Sequence, residues 1–188
     1  MSPKQVLIVN GSPRKRGNSV LLAEQVAVGA RAAGAEVETV TIQGMDIRPC
    51  TACEACKDTE EGDCIIQDDM QSLYPKIRRA DVIVIATPIY FFTMSAQAKL
   101  FIDRCYALLQ TAHGDLLTGK KFAFVLAYGD TDPFTSGAIN AIRAFQDMCR
   151  YIEAEIVGFV YGTASEEGEI QSQEDLLEQA RRLGQKLG

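Results

Sequence analysis

The 188-residue chain lacks long apolar runs, lacks net positive charge and has a single histidine. Each shortage excludes a class of function. A bilayer span needs about eighteen or more consecutive apolar residues, and no stretch approaches that. The opening Met1-Ser2-Pro3-Lys4-Gln5 leads straight into a short apolar strand, without the apolar core and small-residue cleavage site of a secretory signal. These features predict a cytoplasmic protein with no membrane partner. With 25 acidic against 19 basic residues the net charge is -6. That balance argues against a broad phosphate-backbone-binding surface, and so against nucleic acid. The lone histidine, His113, follows a predicted helix end and reads as an exposed C-terminal residue rather than a base. No side chain is assigned as a catalytic acid or base. No internal repeat, low-complexity tract or linker interrupts the sequence, so 1–188 is expected to be one domain with a substantial core.

What is present is alternation. Strands are predicted over 5–10, 36–42, 81–87, 121–128 and 153–161, and helices over 18–33, 68–80, 95–111, 136–151 and 173–187. The first and third strands are nearly continuous in Val, Ile and Leu, as central parallel strands are. The second alternates, which suits an edge. Asn18 or Ser19, Asp68, Ser95 and Ser136 are credible N-caps, and Gly34 a helix stop. Strands alternating with helices imply right-handed crossovers. The predicted fold is α/β: a doubly wound, five-stranded parallel sheet in the flavodoxin-like order 2-1-3-4-5, with helices on both faces. One connection, 44–67, is long for a strand-to-helix loop and holds four of the six cysteines.

In such a sheet a ligand binds beyond the carboxyl ends of the strands, beside the first and third. The first strand ends at Asn10 and runs through Gly11-Ser12-Pro13-Arg14-Lys15-Arg16-Gly17-Asn18-Ser19 into a helix. Ser12, Asn18 and Ser19 offer hydrogen bonds, Gly17 room, and Arg14 (with Lys15 or Arg16) positive charge, at a helix N-terminus. Composition and position fit a phosphate cradle; the plainer alternative is a polar turn with an N-cap. A nucleotide triphosphatase loop would need Gly-Lys-Ser/Thr where this chain has Gly17-Asn18-Ser19, and G-x-G-x-x-G spacing is absent. A phosphate-receiving regulator would place acidic residues where this strand ends in Asn10. The third strand leads into Thr87-Pro88-Ile89-Tyr90-Phe91-Phe92, whose aromatics suit a flat ring or, alternatively, a roof over the core or a partner subunit. The fourth ends Tyr128-Gly129-Asp130, where Gly129 permits close backbone approach.

Asn10 to Ser19 (NGSPRKRGNS), Thr87 to Tyr90 (TPIY) and Ser95 to Arg104 (SAQAKLFIDR) resemble the NADPH-dependent FMN reductase branch of the flavodoxin-like superfamily. The resemblance extends over most of the chain. It implies FMN, with Ser12, Arg14, Asn18 and Ser19 on the phosphate and Pro88, Ile89, Tyr90 and Phe91 facing the isoalloxazine. It also implies NAD(P)H as electron donor, with NADH or NADPH left open, and a homodimer or homotetramer with flavin near a subunit interface.

Cys50, Cys53, Cys56 and Cys64 form C-x2-C-x2-C-x7-C. Three thiolates two residues apart can wrap one side of an iron–sulfur cubane, and a fourth can close it. Zinc, or reactive thiols without metal, are the alternatives. The segment lacks the proline that follows the last cysteine of bacterial ferredoxins. It resembles the compact motif of iron–sulfur flavoproteins, which implies one [4Fe–4S] cluster beside FMN and a ferredoxin-type electron partner. Asp58, Glu60, Glu61 and Asp63 read as a solvated face, and Cys105 and Cys149 as small core residues. Three functions follow: electron transfer between FMN and a [4Fe–4S] cluster, an NAD(P)H-dependent FMN or quinone reductase without a cluster, or a non-catalytic flavin sensor or carrier.

Overall fold

The computed structural model describes residues 2–59, 64–109, 111 and 114–188, the side chain of Asp58 excepted. Five main strands, β1 (Gln5–Asn10), β2 (Glu36–Thr41), β3 (Val82–Tyr90), β5 (Lys121–Tyr128) and β6 (Glu155–Thr163), pair in parallel in the order β2-β1-β3-β5-β6. This is the expected flavodoxin-like order; a two-residue strand, β4 (Thr93–Met94), is additional. Val6 and Ile8 face one side of β1 and Leu7 and Val9 the other, because side chains alternate across a strand. β3 behaves the same way, with Val82 and Val84 opposed to Ile83 and Ile85. Both faces are therefore apolar and both need helices.

Helices α1 (Asn18–Ala32) and α5 (Glu174–Gln185) cover the first face. Their backbones nearly touch: a Cβ on Gly29 would lie 2.0 Å from the Arg181 carbonyl oxygen, and one on Gly184 2.1 Å from that of Val26. Helices α2 (Tyr74–Arg79), α3 (Ala96–Arg104) and α4 (Ala138–Tyr151) cover the second face, where Phe124 stacks on Phe145 at 4.2 Å.

Three elements differ from expectation. The helix predicted over 68–80 divides into a 3₁₀ turn, Asp69–Ser72, and the short α2. Asp68 caps the turn, accepting from the Met70 N–H at 3.0 Å, and Pro75 sits in the first turn of α2, where its missing N–H does no harm. The helix over 95–111 ends at Arg104 and tightens into a 3₁₀ turn, Cys105–Leu108. β3 continues to Tyr90 instead of ending at 87, because β4 folds back on it, pairing Ile89 with Met94 and Tyr90 with Thr93. The tip of that hairpin, Phe91 and Phe92, takes left-handed φ of 46° and 70°, an uncommon conformation for bulky residues.

Among the caps, Ser95 accepts from the Ala98 N–H at 3.2 Å; α1 is preceded by Gly17 rather than by a predicted cap residue, and α4 by Gly137, although the Ser136 hydroxyl still accepts from the Ala138 N–H at 3.2 Å. Cys149 is buried and Cys105 half-buried, and burial pushes both thiols up to about 12. Among the described residues no helix is long and apolar enough to cross a membrane.

Candidate functional site

The carboxyl ends of β1 and β3 are joined by buried hydrogen bonds. The Gly11 N–H donates to the Ala86 carbonyl at 2.8 Å, and the Gly11 carbonyl accepts from Ser95 Oγ at 2.7 Å. Ser95 in turn donates its N–H to Thr87 Oγ1 at 3.0 Å. Thr87 and Ser95 are both inaccessible to solvent. The start of the glycine-rich loop, the end of β3 and the start of α3 are thus fixed to one another. Thr87, predicted to touch a ligand, instead sits inside this junction.

From Gly11 the chain turns sharply. Ser12 Oγ accepts from the Arg14 N–H at 3.1 Å, and the Gly17 N–H donates to the Arg14 carbonyl at 3.2 Å. A Cβ on Gly17 would lie 2.5 Å from Ser12 Oγ, so only glycine leaves this loop its shape. No side chain caps the first turn of α1. The first N–H groups of a helix have no partners within it and carry the positive end of its dipole. Ser19 is buried in that turn, and its Oγ has no hydrogen-bond partner; the same holds for Asn10 Oδ1. Arg14, Lys15 and Arg16 are exposed beside it.

The loop, the end of β3 and the ends of β5 and β6 enclose a cleft of about 220 Å³. Ser12, Arg14, Gly17, Asn18, Pro88, Ile89, Tyr90, Tyr128 and Gly129 all line it, so nine of the thirteen residues predicted for the flavin come together. Four do not. Ser19 and Thr87 lie beneath the surface, Asp130 accepts from the Thr131 N–H at 2.7 Å in an exposed turn, and Phe91 projects 95% exposed at the hairpin tip. Ala127, Ala164 and Ser165 complete the wall and were not predicted. The β6 end is joined to that of β5: Ala164 N–H to the Tyr128 carbonyl at 2.7 Å, and Ser165 Oγ to the Gly129 carbonyl at 2.9 Å. Burial raises the Tyr128 pKa, so the phenol stays neutral.

The cleft has the features that a phosphate ester needs: an uncapped helix N-terminus, buried hydroxyls and a glycine that keeps the loop open. Tyr90, in the cleft wall, is partly exposed, and Phe91 and Phe92 follow it as exposed aromatics at the hairpin tip. The Phe91 and Phe92 rings meet edge to face at 5.7 Å, and Asn140 Nδ2 holds the Phe92 carbonyl at 3.0 Å.

The cysteine segment is a second, separate feature. Cys50, Cys53, Cys56 and Cys64 line one small cavity of about 20 Å³, together with Arg104 and Tyr106. Cys50 and Cys53 are exposed, Cys64 half-buried and Cys56 buried. Left-handed φ at Ala52 (53°) and Glu54 (57°) coils the backbone between the first three. Burial, then the charge of Cys64 and those of Cys50 and Cys53, push the Cys56 thiol up. The Ala55 N–H and the Thr51 hydroxyl pull the Cys53 thiol down. Among the described residues, no group of three or more His, Cys, Asp or Glu is arranged to hold a single metal ion. His113, Glu60, Glu61 and Asp63, together with the Asp58 side chain, lie outside the described residues.

One contact that the sequence did not reveal secures this segment. Arg104, at the end of α3, pairs through both guanidinium Nη atoms with Asp68, and both side chains are inaccessible to solvent. Arg104 Nη1 also donates to the Arg48 carbonyl at 2.8 Å, and Asp68 accepts from the Arg48 N–H at 2.9 Å. Burial works against the Asp68 charge. The guanidinium and the Arg48 and Met70 N–H groups outweigh it and hold the carboxyl below its usual range.

The chain matches the family model for NADPH-dependent FMN reductases over residues 4–167. It is 37% identical over 100 residues to an iron–sulfur flavoprotein of Methanocaldococcus jannaschii, a match covering 53% of this chain and 51% of that protein. It therefore spans about half the length of that relative. To an iron–sulfur flavoprotein of Archaeoglobus fulgidus it is 31% identical over 180 residues, covering 94% of this chain and 76% of the other. A solved structure, the Trp repressor binding protein of Bacillus subtilis, superposes with a TM-score of 0.71 at 27% identity, over 95% of this chain and 99% of that one. A match that begins just before β1 and runs past the β6 wall takes in every strand end that forms the cleft, and the chain belongs to the NADPH-dependent FMN reductase family of flavin-dependent oxidoreductases.

Proposed function

We propose that the cleft holds FMN and that the four cysteines hold a [4Fe–4S] cluster, making this an electron-transfer iron–sulfur flavoprotein. The observation that carries the flavin half is the uncapped start of α1, with the unpartnered, buried Ser19 hydroxyl in its first turn and no room for a Cβ at Gly17. FMN exchanges electrons in pairs or singly and a cluster exchanges them singly, so the pair would link the two kinds of traffic.

The residues bind and orient. Ser12, Arg14 and the N–H groups of α1 would take the phosphate, with the unpartnered Ser19 hydroxyl buried in the same turn as a further donor, and Pro88, Ile89, Tyr90, Tyr128 and Gly129 would line the ring. Phe91, exposed at the hairpin tip, would reach the ring edge only from outside the cleft, and Asp130 lies in the adjoining turn. In the other half, Cys50, Cys53, Cys56 and Cys64 supply a thiolate set that suits iron–sulfur chemistry, and their shared cavity supports it. A homodimer or homotetramer would cover the exposed aromatic hairpin, and a ferredoxin-type protein is the proposed single-electron partner.

A second reading is a plain NAD(P)H-dependent FMN or quinone reductase. It would use the same cleft for flavin and leave Cys50, Cys53, Cys56 and Cys64 as thiols, a set in which Cys50 and Cys53 are exposed. Both readings require flavin. Purified protein is expected to bind FMN more tightly than riboflavin and to bleach reversibly on reduction; no affinity for either flavin contradicts both.

A further inference from the structure

Asn18 sits in the phosphate loop and lines the cleft, yet its carboxamide is engaged elsewhere. Nδ2 donates to the Glu166 carbonyl at 2.8 Å and to the Ala164 carbonyl at 3.2 Å, and Oδ1 accepts from the Ile170 N–H at 3.2 Å. Both amide protons and the amide oxygen therefore have protein partners. All three partners are backbone groups of 164–170, the segment that carries the β6 wall of the cleft. Ala164 and Ile170 also share one buried apolar cluster with Leu22 and Val26 of α1, and just ahead of the helix the Arg16 N–H reaches Glu167 Oε1 at 3.3 Å on the exposed side. Among the described residues, the buried polar ties between segment and helix are those of Asn18. Asn18 is 7% exposed, so water is a poor substitute partner.

We propose that Asn18 is a positioning residue: it holds the 164–170 wall against the phosphate loop and sets the width of the cleft, and it does not bind the phosphate. Phosphate contact then belongs to its neighbour Ser19, whose hydroxyl is buried in the same turn without a partner. The inference rests on the flavin reading of this cleft. Its structural half, the strap itself, does not.

The two roles predict different ligand dependence. Losing a phosphate ligand weakens FMN and leaves riboflavin, which has no phosphate, unchanged. Losing the strap loosens the wall for both. The test is Asn18→Ala beside Ser19→Ala, with dissociation constants for FMN and for riboflavin, and amide hydrogen exchange at Ile170. For Asn18→Ala, both flavins are expected to weaken by about tenfold, the scale of one lost net hydrogen bond. Their ratio should hold, and the Ile170 amide should exchange faster. For Ser19→Ala, the FMN affinity should fall and the riboflavin affinity stay.

A ratio that collapses in Asn18→Ala, or affinities that do not move, overturns the proposal. If the wild type binds neither flavin, the reading of the cleft fails, and Ile170 exchange in the variant still decides the strap. If Asn18→Ala does not fold, exchange in the wild-type apoprotein decides it. A slowly exchanging Ile170 amide supports the strap, and a rapidly exchanging one removes it.

Discussion

The two candidate centres are held in place by different means. The cleft is built on the ends of four parallel strands, and its loops are tied by short hydrogen bonds among Gly11, Thr87, Ser95, Tyr128, Gly129, Ala164 and Ser165. The cysteine segment lies outside the sheet. It returns to the core through the buried ion pair Arg104–Asp68 with the Arg48 backbone bonded to it, through the reciprocal bonds of Asp46 and Asp69, and through Met45, Ile47, Cys56 and Cys64 packed on the second face. A site on strand ends inherits its geometry from the whole sheet. A site on an excursion depends on its few anchors, and on whatever its ligands later bind.

The largest effect should come from breaking that anchor. Arg104→Met leaves the Asp68 carboxylate buried without its cation, which costs about 3–5 kcal/mol. Chemical denaturation should report that loss, and hydrogen exchange should show residues 46–58 loosened before the cleft. Equal loosening of both regions would mean that they are one cooperative unit.

Thr87→Val tests the other side. It removes the acceptor of the buried Ser95 N–H, at a cost of about 1–3 kcal/mol, and should weaken flavin binding while the cysteine segment keeps its exchange rates. If the cleft binds flavin unchanged, the junction does not position it.

Acid should act on the anchor. Asp68 has a folded-state pKa below its usual value, so its contribution is full above that value and is lost as pH falls through the folded one. Below about pH 4, stability should decline less steeply in Asp68→Asn than in the wild type; denaturation midpoints across that range give the comparison. Parallel curves would remove Asp68 from the acid response.

The smallest effect belongs to Phe91→Ala. The ring is 95% exposed in the single chain, so at dilutions where copies are apart the melting curve should show a stability change within about 0.5 kcal/mol. A larger loss that grows with protein concentration is expected where the proposed homo-oligomer covers the hairpin tip, and the absence of any concentration dependence would contradict that covering.

Much of the cleft was legible in the sequence, because strand ends and a glycine-rich loop leave local signals. Val- and Ile-rich runs gave β1 and β3, and Gly17 marked the turn before α1. What escaped were contacts between distant positions. Asp68 was read correctly as a cap, but its partner Arg104 is 36 residues away, and no periodicity links them. Ala164 and Ser165 are small and common, and they become part of a wall only because β6 ends beside β5. The position of Asn18 points to the phosphate, and nothing local in the sequence signals that its amide also bonds three backbone groups of a segment about 150 residues later. Pro75 is visible in the sequence, but its effect, dividing the 68–80 helix, depends on Asp68 capping a turn just ahead of it.

The central claim, flavin and cluster in one small protein, is tested by iron and acid-labile sulfide per FMN in anaerobically purified protein. The account predicts about four iron and four sulfide per flavin, as one [4Fe–4S] centre requires. Flavin with no iron, both as purified and after reconstitution with iron and sulfide, would contradict it.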